Sequence, residues 1–317
     1  MNRYRFEDPH CKALVTTRTV DSRLWFVNNE ELHQAILGSV AKYQNSRGAH
    51  LYAFVIQGNH YHGIGRFPLG NRADFQRDLN SSIQRHVTYA DIGFDGGTLW
   101  SKRYSAEFLP SDSDVENYFF YCALQTVHSG LCEDPRDFNG YNSFWDAIEG
   151  RVRKYKVFDR AGYNDKRRYN KKVRREDFIS EYELIIARLP GYENLSQEDY
   201  RELMLVKYEA RRRRLIDERR ALGLGFLGKA KLAATRPGSY PKNTKKSKRN
   251  SIRPIVLTDD IEVRRDFSER YFRLKDLYKR AARNLRLQIG EVRFPPYMYV
   301  RSNVLSNALG FPLAPIG

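Results

Sequence analysis

Leu51-Tyr52-Ala53-Phe54-Val55-Ile56 is an apolar, β-prone run, and the chain continues Gln57-Gly58-Asn59 into His60-Tyr61-His62. In an extended strand, residues i and i+2 point the same way, so His60 and His62 share one face and Tyr61 takes the other. Gly58, Gly63 and Gly65 leave room for another backbone or a ligand to come close. Imidazole is the commonest protein ligand for borderline metals and also binds manganese. Two hydrogen-bonded structural histidines at a strand end would satisfy the same pattern, so the pair alone leaves both readings open.

A second element carries complementary chemistry. Asp112-Ser113-Asp114 supplies N-cap candidates, and Val115 to Val127 then shows apolar residues at near-helical spacing. Tyr121 and Gln125 are four apart, which places them one turn above each other on one helix face. A carboxamide oxygen suits a hard cation, and a phenol beside it is an oxygen nucleophile. Tyr121 is also one aromatic among Tyr118, Phe119 and Phe120, and aromatic stripes commonly belong to cores. Tyr118 lies on roughly the same face, so spacing alone does not select the nucleophile.

Taken together, these motifs resemble a known family. Asn59-His60-Tyr61-His62 after an apolar strand is similar to the HUH motif of single-tyrosine transposases. Leu99-Trp100-Ser101-Lys102-Arg103-Tyr104 resembles the tryptophan-x-arginine-arginine-tyrosine strand that precedes their catalytic helix. Tyr121-Cys122-Ala123-Leu124-Gln125-Thr126-Val127-His128-Ser129-Gly130-Leu131 resembles the tyrosine helix and its exit. Many relatives carry asparagine-proline where this chain has Gln125-Thr126. The loop Asp134-Pro135-Arg136-Asp137-Phe138 looks like that of REP-associated tyrosine transposases. Phe158-Asp159-Arg160, Leu227-Gly228 and Val292-Arg293-Phe294-Pro295-Pro296 are similar to the C-terminal extension of their longer forms.

The resemblance implies an α+β fold with a ferredoxin-like HUH palm, an antiparallel sheet flanked by helices, followed by a basic, mainly helical extension. It implies Tyr121 as catalytic nucleophile and His60, His62 and Gln125 as ligands of Mg²⁺ or Mn²⁺. The expected activity is that of a metal-dependent single-stranded DNA endonuclease and strand-transferase. Tyr121 would attack a phosphodiester, join the 5′ side as a phosphotyrosine and release a 3′-hydroxyl. A phenol with an ordinary pKa of about 10 is a weak nucleophile at neutral pH, so a nearby cation has to assist its ionisation. The partner is single-stranded or hairpin DNA. Relatives act as monomers or as domain-exchanged dimers, and a homodimer stays open.

Charge points to DNA independently of the resemblance. The net charge is +17, yet residues 1–150 carry 14 Lys and Arg against 18 Asp and Glu, and residues 151–317 carry 41 against 20. A near-neutral module joined to a strongly basic one suggests chemistry at 1–150 and polyanion binding at 151–317. Candidate DNA contacts are Arg103 and Tyr104 in the strand motif, and Lys171, Lys172, Arg174 and Arg175 in a basic, tyrosine-rich stretch. Arg211-Arg212-Arg213-Arg214, which circles a helix, and Lys245, Lys246, Lys248 and Arg249 complete the set. A mobile basic linker is expected near 236–254.

Strands are expected over Ala13–Val20 and Thr98–Phe108, with Arg23–Val27 extending or pairing with the first. Helices are expected over Glu30–Gln44, with Leu32, Ile36, Leu37 and Val40 inward, and over Arg72–Tyr89. Ser196 and Asp199 resemble a capping box for a helix to about Leu222. Asp259–Leu287 reads as a last helix with Phe267, Tyr271, Leu274, Leu277 and Tyr278 on its apolar side. Three cysteines without a C-x-x-C pair, no apolar leader and no run of eighteen apolar residues point to a cytoplasmic protein without membrane contact. Two other readings share these features: an HUH nickase of replication or mobilisation, and a non-catalytic nucleic-acid-binding protein. The absence of G-x-x-x-x-G-K-[ST] favours the transposase over large replication initiators, and the non-catalytic protein has no use for the His60, His62, Tyr121 and Gln125 set.

Overall fold

The computed structural model describes residues 4–241 and 254–300. Lys245, Lys246, Lys248, Arg249 and most of the expected linker lie outside the described residues.

Five strands build one antiparallel sheet: β1 (Lys12–Arg18), β2 (His50–Ile56), β3 (His60–Arg66), β4 (Ser105–Leu109) and β5 (Tyr141–Asn142). Their spatial order is β4-β1-β3-β2-β5. Helix α1 (Glu30–Arg47) links β1 to β2, and α2 (Arg72–Tyr89) links β3 to β4. This is the interleaved β-α-β-β-α-β arrangement of the ferredoxin-like fold, so the chain is α+β as the motifs imply.

Strands β2 and β3 form a hairpin in which the Gln57 N–H donates to the His60 carbonyl at 2.8 Å. Gly58 occupies that turn because a Cβ there would meet Leu24 Cδ2 and Val27 Cγ1 at 2.9 Å. Helix α1 starts at Asn29, whose side chain accepts from the Leu32 N–H, and stops at Gly48 with φ of 58°. Its Leu32, Ile36, Leu37 and Val40 are buried. Helix α2 has the expected bounds.

Two expected strands are shorter or absent. Only Ser105–Leu109 of the 98–108 stretch is regular. Trp100 instead makes a single bridge to Thr19, flanked by Val20 N–H to Leu99 O at 2.8 Å and Ser101 N–H to Arg18 O at 3.0 Å. Its indole N–H donates to the Asn80 carbonyl at 3.0 Å, and residues 101–104 between this bridge and β4 are irregular. Arg23–Val27 is irregular because Asp21 and Ser22 take φ of 52° and 57° and turn the chain out of the β1 direction.

Helices α1 and α2 pack on the sheet face that Tyr61 occupies. The opposite face is covered by α3 (Asp112–Ala123), which lies against β2 and β3. Ser111, rather than Asp112, is its N-cap and forms a reciprocal capping box with Asp114. After Leu124 the short α4 (Gln125–His128) follows, and α5 (Phe144–Glu149) comes after β5.

Beyond residue 150 the first feature is a hairpin that the basic composition conceals: β6 (Val152–Phe158) pairs with β7 (Ile179–Ile185) and packs on α1. Between them lies α6 (Arg160–Tyr169). Helix α7 (Gln197–Ala221) begins at Ser196, which accepts from the Asp199 N–H. Its Tyr200, Met204, Tyr208 and Ile216 join the palm core, with Tyr208 stacked on Phe144 at 4.3 Å between ring centroids. After the short α8 (Lys229–Ala233), Val256 pairs with Phe108, and α9 (Ile261–Arg286) covers a second cluster containing Phe6, Phe108, Tyr271, Leu274 and Met298. Leu277, expected on the apolar side of α9, is exposed. No helix of the described residues is long and apolar enough to cross a membrane.

Candidate active site

Antiparallel register sets Thr16 opposite His62 and Arg18 opposite His60. Opposed residues share a sheet face, and Thr16 Oγ1 lies 2.8 Å from His62 Nδ1. His60 Nδ1 lies 2.6 Å from Asn59 Oδ1, an oxygen that can only accept, so Nδ1 carries the proton there. The two rings stand edge to face, 4.8 Å between centroids, and both side chains are buried. Each imidazole therefore has its Nδ1 committed to an orienting partner. In metal-bound histidines that commitment fixes the tautomer that presents the other nitrogen.

Tyr61, between them in sequence, faces the other way. Its hydroxyl lies 2.7 Å from Gln76 Oε1 and from Asn80 Oδ1, and burial pushes its phenol well above the ordinary value. It is a core tyrosine.

Helix α3 brings Tyr121 over the histidine face. Its ring centroid lies 5.9 Å from that of His62, at 68°. Tyr118 and His128 flank it at 5.8 and 5.9 Å. Tyr121 is half-buried, on the wall of a cleft of about 590 Å³ that is also lined by Asn117, Tyr118, Asp259 and Arg264. Burial first, and then the carboxylate of Asp259, push the Tyr118 phenol upward, which disfavours its ionised form.

Gln125 is buried. Its Nε2 donates weakly to Ser129 Oγ at 3.4 Å, and its Oε1 has no hydrogen-bond partner among the described residues. A buried carbonyl oxygen left that way costs about 1–3 kcal/mol unless a cation or water satisfies it. The helix is interrupted one residue earlier: Leu124 has φ −102° and ψ 12°, and the Asn142 side chain donates to the Ala123 carbonyl at 2.8 Å. The exit is a Schellman turn in which Leu131 N–H bonds to Thr126 O at 2.8 Å and Gly130 N–H to Val127 O at 3.0 Å. Gly130 takes φ of 72°, the left-handed region that favours glycine.

The site thus brings His60, His62 and Tyr121 into one ring cluster, with Gln125 one turn beyond Tyr121. No group of three or more His, Cys, Asp or Glu among the described residues is placed to hold a metal. An ion here would rely on two imidazoles and an amide oxygen, all neutral. Sequence reasoning missed Thr16 and His128. Thr16 is invisible until the β1–β3 register is known, whereas His128, seven residues after Tyr121, follows from two helical turns.

Helix α3 is anchored from outside by α7. Lys207 Nζ reaches both Glu116 carboxylate oxygens at 2.9 and 3.0 Å, and the Tyr192 hydroxyl donates to the same carboxylate. Desolvation opposes ionisation of Glu116, but the bonds from Tyr192 and Lys207, with the charges of Lys207 and Arg211, win and hold its carboxyl below the ordinary range.

The candidate DNA contacts divide by environment. Arg211 stacks over Phe120 at 4.3 Å and reaches Glu116 at 3.4 Å. Arg212 pairs with Glu209 at 2.9 Å and Arg214 with Glu218 at 2.7 Å, while Arg213 is exposed. Arg174 pairs with Asp177 at 2.8 Å and Arg175 lies over Phe158 at 4.6 Å. Lys171 and Lys172 are exposed. Arg103 and Tyr104 line a separate cleft beside α2.

No family model matches the chain, and no curated protein matches it. Solved structures similar to it include two transposases. One is a REP-associated tyrosine transposase bound to a REP hairpin, with 15% identity and a TM-score of 0.39, covering 47% of this chain and 84% of that one. The other is a provisionally named transposase from Deinococcus radiodurans R1, with 16% identity and a TM-score of 0.28, covering 37% of this chain and 93% of that one.

Proposed function

We propose that the protein is a metal-dependent single-stranded DNA endonuclease and strand-transferase, a transposase that works through a 5′-phosphotyrosine. The observation that carries this reading is the His62 ring, oriented by Thr16 on one side and in contact with the ring of Tyr121 on the other. A purely structural histidine pair has no need of a half-buried phenol on a cleft beside it.

The donor set fits a divalent ion such as Mg²⁺ or Mn²⁺. His60 and His62 would hold it through nitrogen, and the buried Gln125 Oε1 through oxygen. When bound, the ion supplies Lewis-acid polarisation of the scissile phosphate. The protein's own part is orientation and nucleophilic attack. The Tyr121 oxygen bonds to phosphorus as the bond to the 3′ oxygen breaks. The proton lost by the phenol is balanced by the one taken up by the departing 3′-hydroxyl. Because the ester to Tyr121 retains the phosphodiester's bond energy, an incoming 3′-hydroxyl can reverse the step and join a new strand. The proposed substrate is an unpaired strand, beside a hairpin as the motif resemblance implies.

The test is incubation with end-labelled single-stranded DNA and Mn²⁺ or Mg²⁺, followed by denaturing electrophoresis. A protein–DNA adduct on the 5′-phosphate side is expected, absent in Tyr121→Phe and retained in Tyr118→Phe. An adduct that survives Tyr121→Phe would refute the assignment.

A further inference from the structure

A second cleft, of about 440 Å³, lies on the opposite side of the sheet, between α2 and residues 100–104. Arg5, Arg77, Lys102 and Arg103 line it together with Trp100 and Gln76, and no acidic side chain is among its lining residues. Its volume falls within the ~300–1,000 Å³ of small-ligand sites. Asp74 and Asp78 hold the Arg77 guanidinium at 2.7 and 2.9 Å, and Glu7, which accepts from the Ala73 N–H at 3.2 Å, is buried in an ion pair with Arg72. Desolvation, and after it the charge of Arg5, push the Arg103 guanidinium below its ordinary value. The indole of Trp100 is half-buried and pinned through its N–H to Asn80. Cations beside a fixed aromatic plane are what a nucleotide needs, the former for its phosphate and the latter for its base.

We infer that this cleft is a docking subsite for an unpaired nucleotide of the DNA strand, remote from the bond that is cut. The inference rests on the proposed nuclease reading and adds a second grip. The route between the two sites is short. Tyr104 borders the cleft, the next residue Ser105 is the β4 partner of Thr16, and Thr16 bonds to His62. The cleft opens on the α2 face, where Tyr61 meets Gln76, whereas His60 and His62 occupy the other face. A strand engaged at both sites wraps over the sheet end at residues 101–105, where Ser101 N–H is tied to Arg18 O at 3.0 Å and Lys102 and Arg103 are exposed. A bent path of this kind admits a flexible single strand and rejects a stiff duplex.

The experiment uses full-length protein in EDTA with a fluorescent oligothymidylate of roughly 20 nucleotides, long enough to span more than one binding region. Two variants probe opposite walls: Arg77→Ala on α2 and Lys102→Ala/Arg103→Ala on the loop. Their side chains are solvent-facing, so unchanged thermal melting is the check that each folds. Each variant is expected to weaken binding about tenfold, and to make the slope of log affinity against log salt shallower by about 0.7 for each phosphate that the variant no longer neutralises. Wild-type affinity and slope in Arg77→Ala would overturn the inference, because a merely basic loop does not need the α2 wall. An equal loss on a duplex of the same length would overturn it too. If wild-type protein never cleaves DNA but both variants lose single-strand binding, the nuclease reading fails while the subsite stands.

Discussion

Thr16→Val offers a sharp test of how the histidine pair is organised. The substitution keeps side-chain shape and removes only the hydroxyl that lies 2.8 Å from His62 Nδ1. Thr16 is buried, so no bulk water replaces the lost partner. The fold should lose about 1 kcal/mol, the net worth of one ordinary hydrogen bond. The effect on metal affinity should be larger. Loss of an orienting partner behind a ligating histidine commonly weakens affinity about 10–100-fold, or about 1.4–2.7 kcal/mol. Single-turnover cleavage measured against Mn²⁺ concentration separates the two quantities. The half-saturating Mn²⁺ concentration should rise about 10–100-fold in Thr16→Val while the rate at saturation nearly recovers, and Thr16→Ser should stay near wild type. An unchanged half-saturation would refute the orienting role. So would a rate that excess metal cannot restore, since Thr16 would then act on something other than the ligand geometry.

Gln125→Ala should likewise raise the Mn²⁺ requirement, with partial rescue at high Mn²⁺ because water replaces one neutral oxygen; His60→Ala should show no rescue in the same titration. Glu116→Gln should cost about 1–3 kcal/mol at neutral pH, seen as a lower melting temperature, because it weakens the charged bonds that hold α3 to α7. The folded carboxyl lies below its ordinary 4.5, so its stabilisation is present above that pH and is lost as pH falls through the folded value. The melting temperature of Glu116→Gln should therefore fall less steeply than that of wild type below pH 4.5, and parallel curves would contradict the assigned cause. A fragment ending at residue 150 should lack a cooperative thermal transition, because it loses the buried Tyr200, Met204, Tyr208 and Ile216 that complete the palm core.

What could be read from the sequence was whatever a local period encodes. The i, i+2 pair of His60 and His62, the bounds of α2, the inward stripe of α1 and the Ser196 cap of α7 all depend on neighbours within a few residues. The placements that escaped depend on partners far along the chain. Thr16 matters because register sets it opposite His62. Ser111 outcompetes Asp112 as the α3 cap because its hydroxyl and the Asp114 carboxylate satisfy each other's backbone N–H. The β6–β7 hairpin hid in a run rich in Lys and Arg because only Tyr155 and Leu184 of its strands are buried, while Lys154 and Lys156 stay exposed opposite Glu183 and Glu181. The indole of Trp100 reaches the Asn80 carbonyl, a contact that no strand propensity encodes.

The uneven charge of the two halves has a second cause besides DNA. Acidic residues before position 150 are the docking partners of basic residues after it. Asp146 takes Arg153 at 2.5 Å, Glu116 takes Lys207 at 2.9 Å and Arg211 at 3.4 Å, and Glu133 takes Arg220 at 3.0 Å. Asp137 takes Lys229 at 3.5 Å, and Asp8 takes Arg270 at 2.7 Å. A deficit of cations in one half and an excess in the other is what such an interface produces, whatever the chain binds. Pairing of this kind conserves net charge, however. The whole chain stays at +17, and this surplus remains for a polyanion. It follows that the count of basic residues in a segment is a poor guide to DNA contact, and that the environment of each one is a better guide. Arg211 lies on Phe120 and beside Glu116, so its loss should loosen α3 before it weakens DNA binding. Lys102 is exposed beside a cleft without acidic lining, so its loss should weaken DNA binding and leave the fold alone.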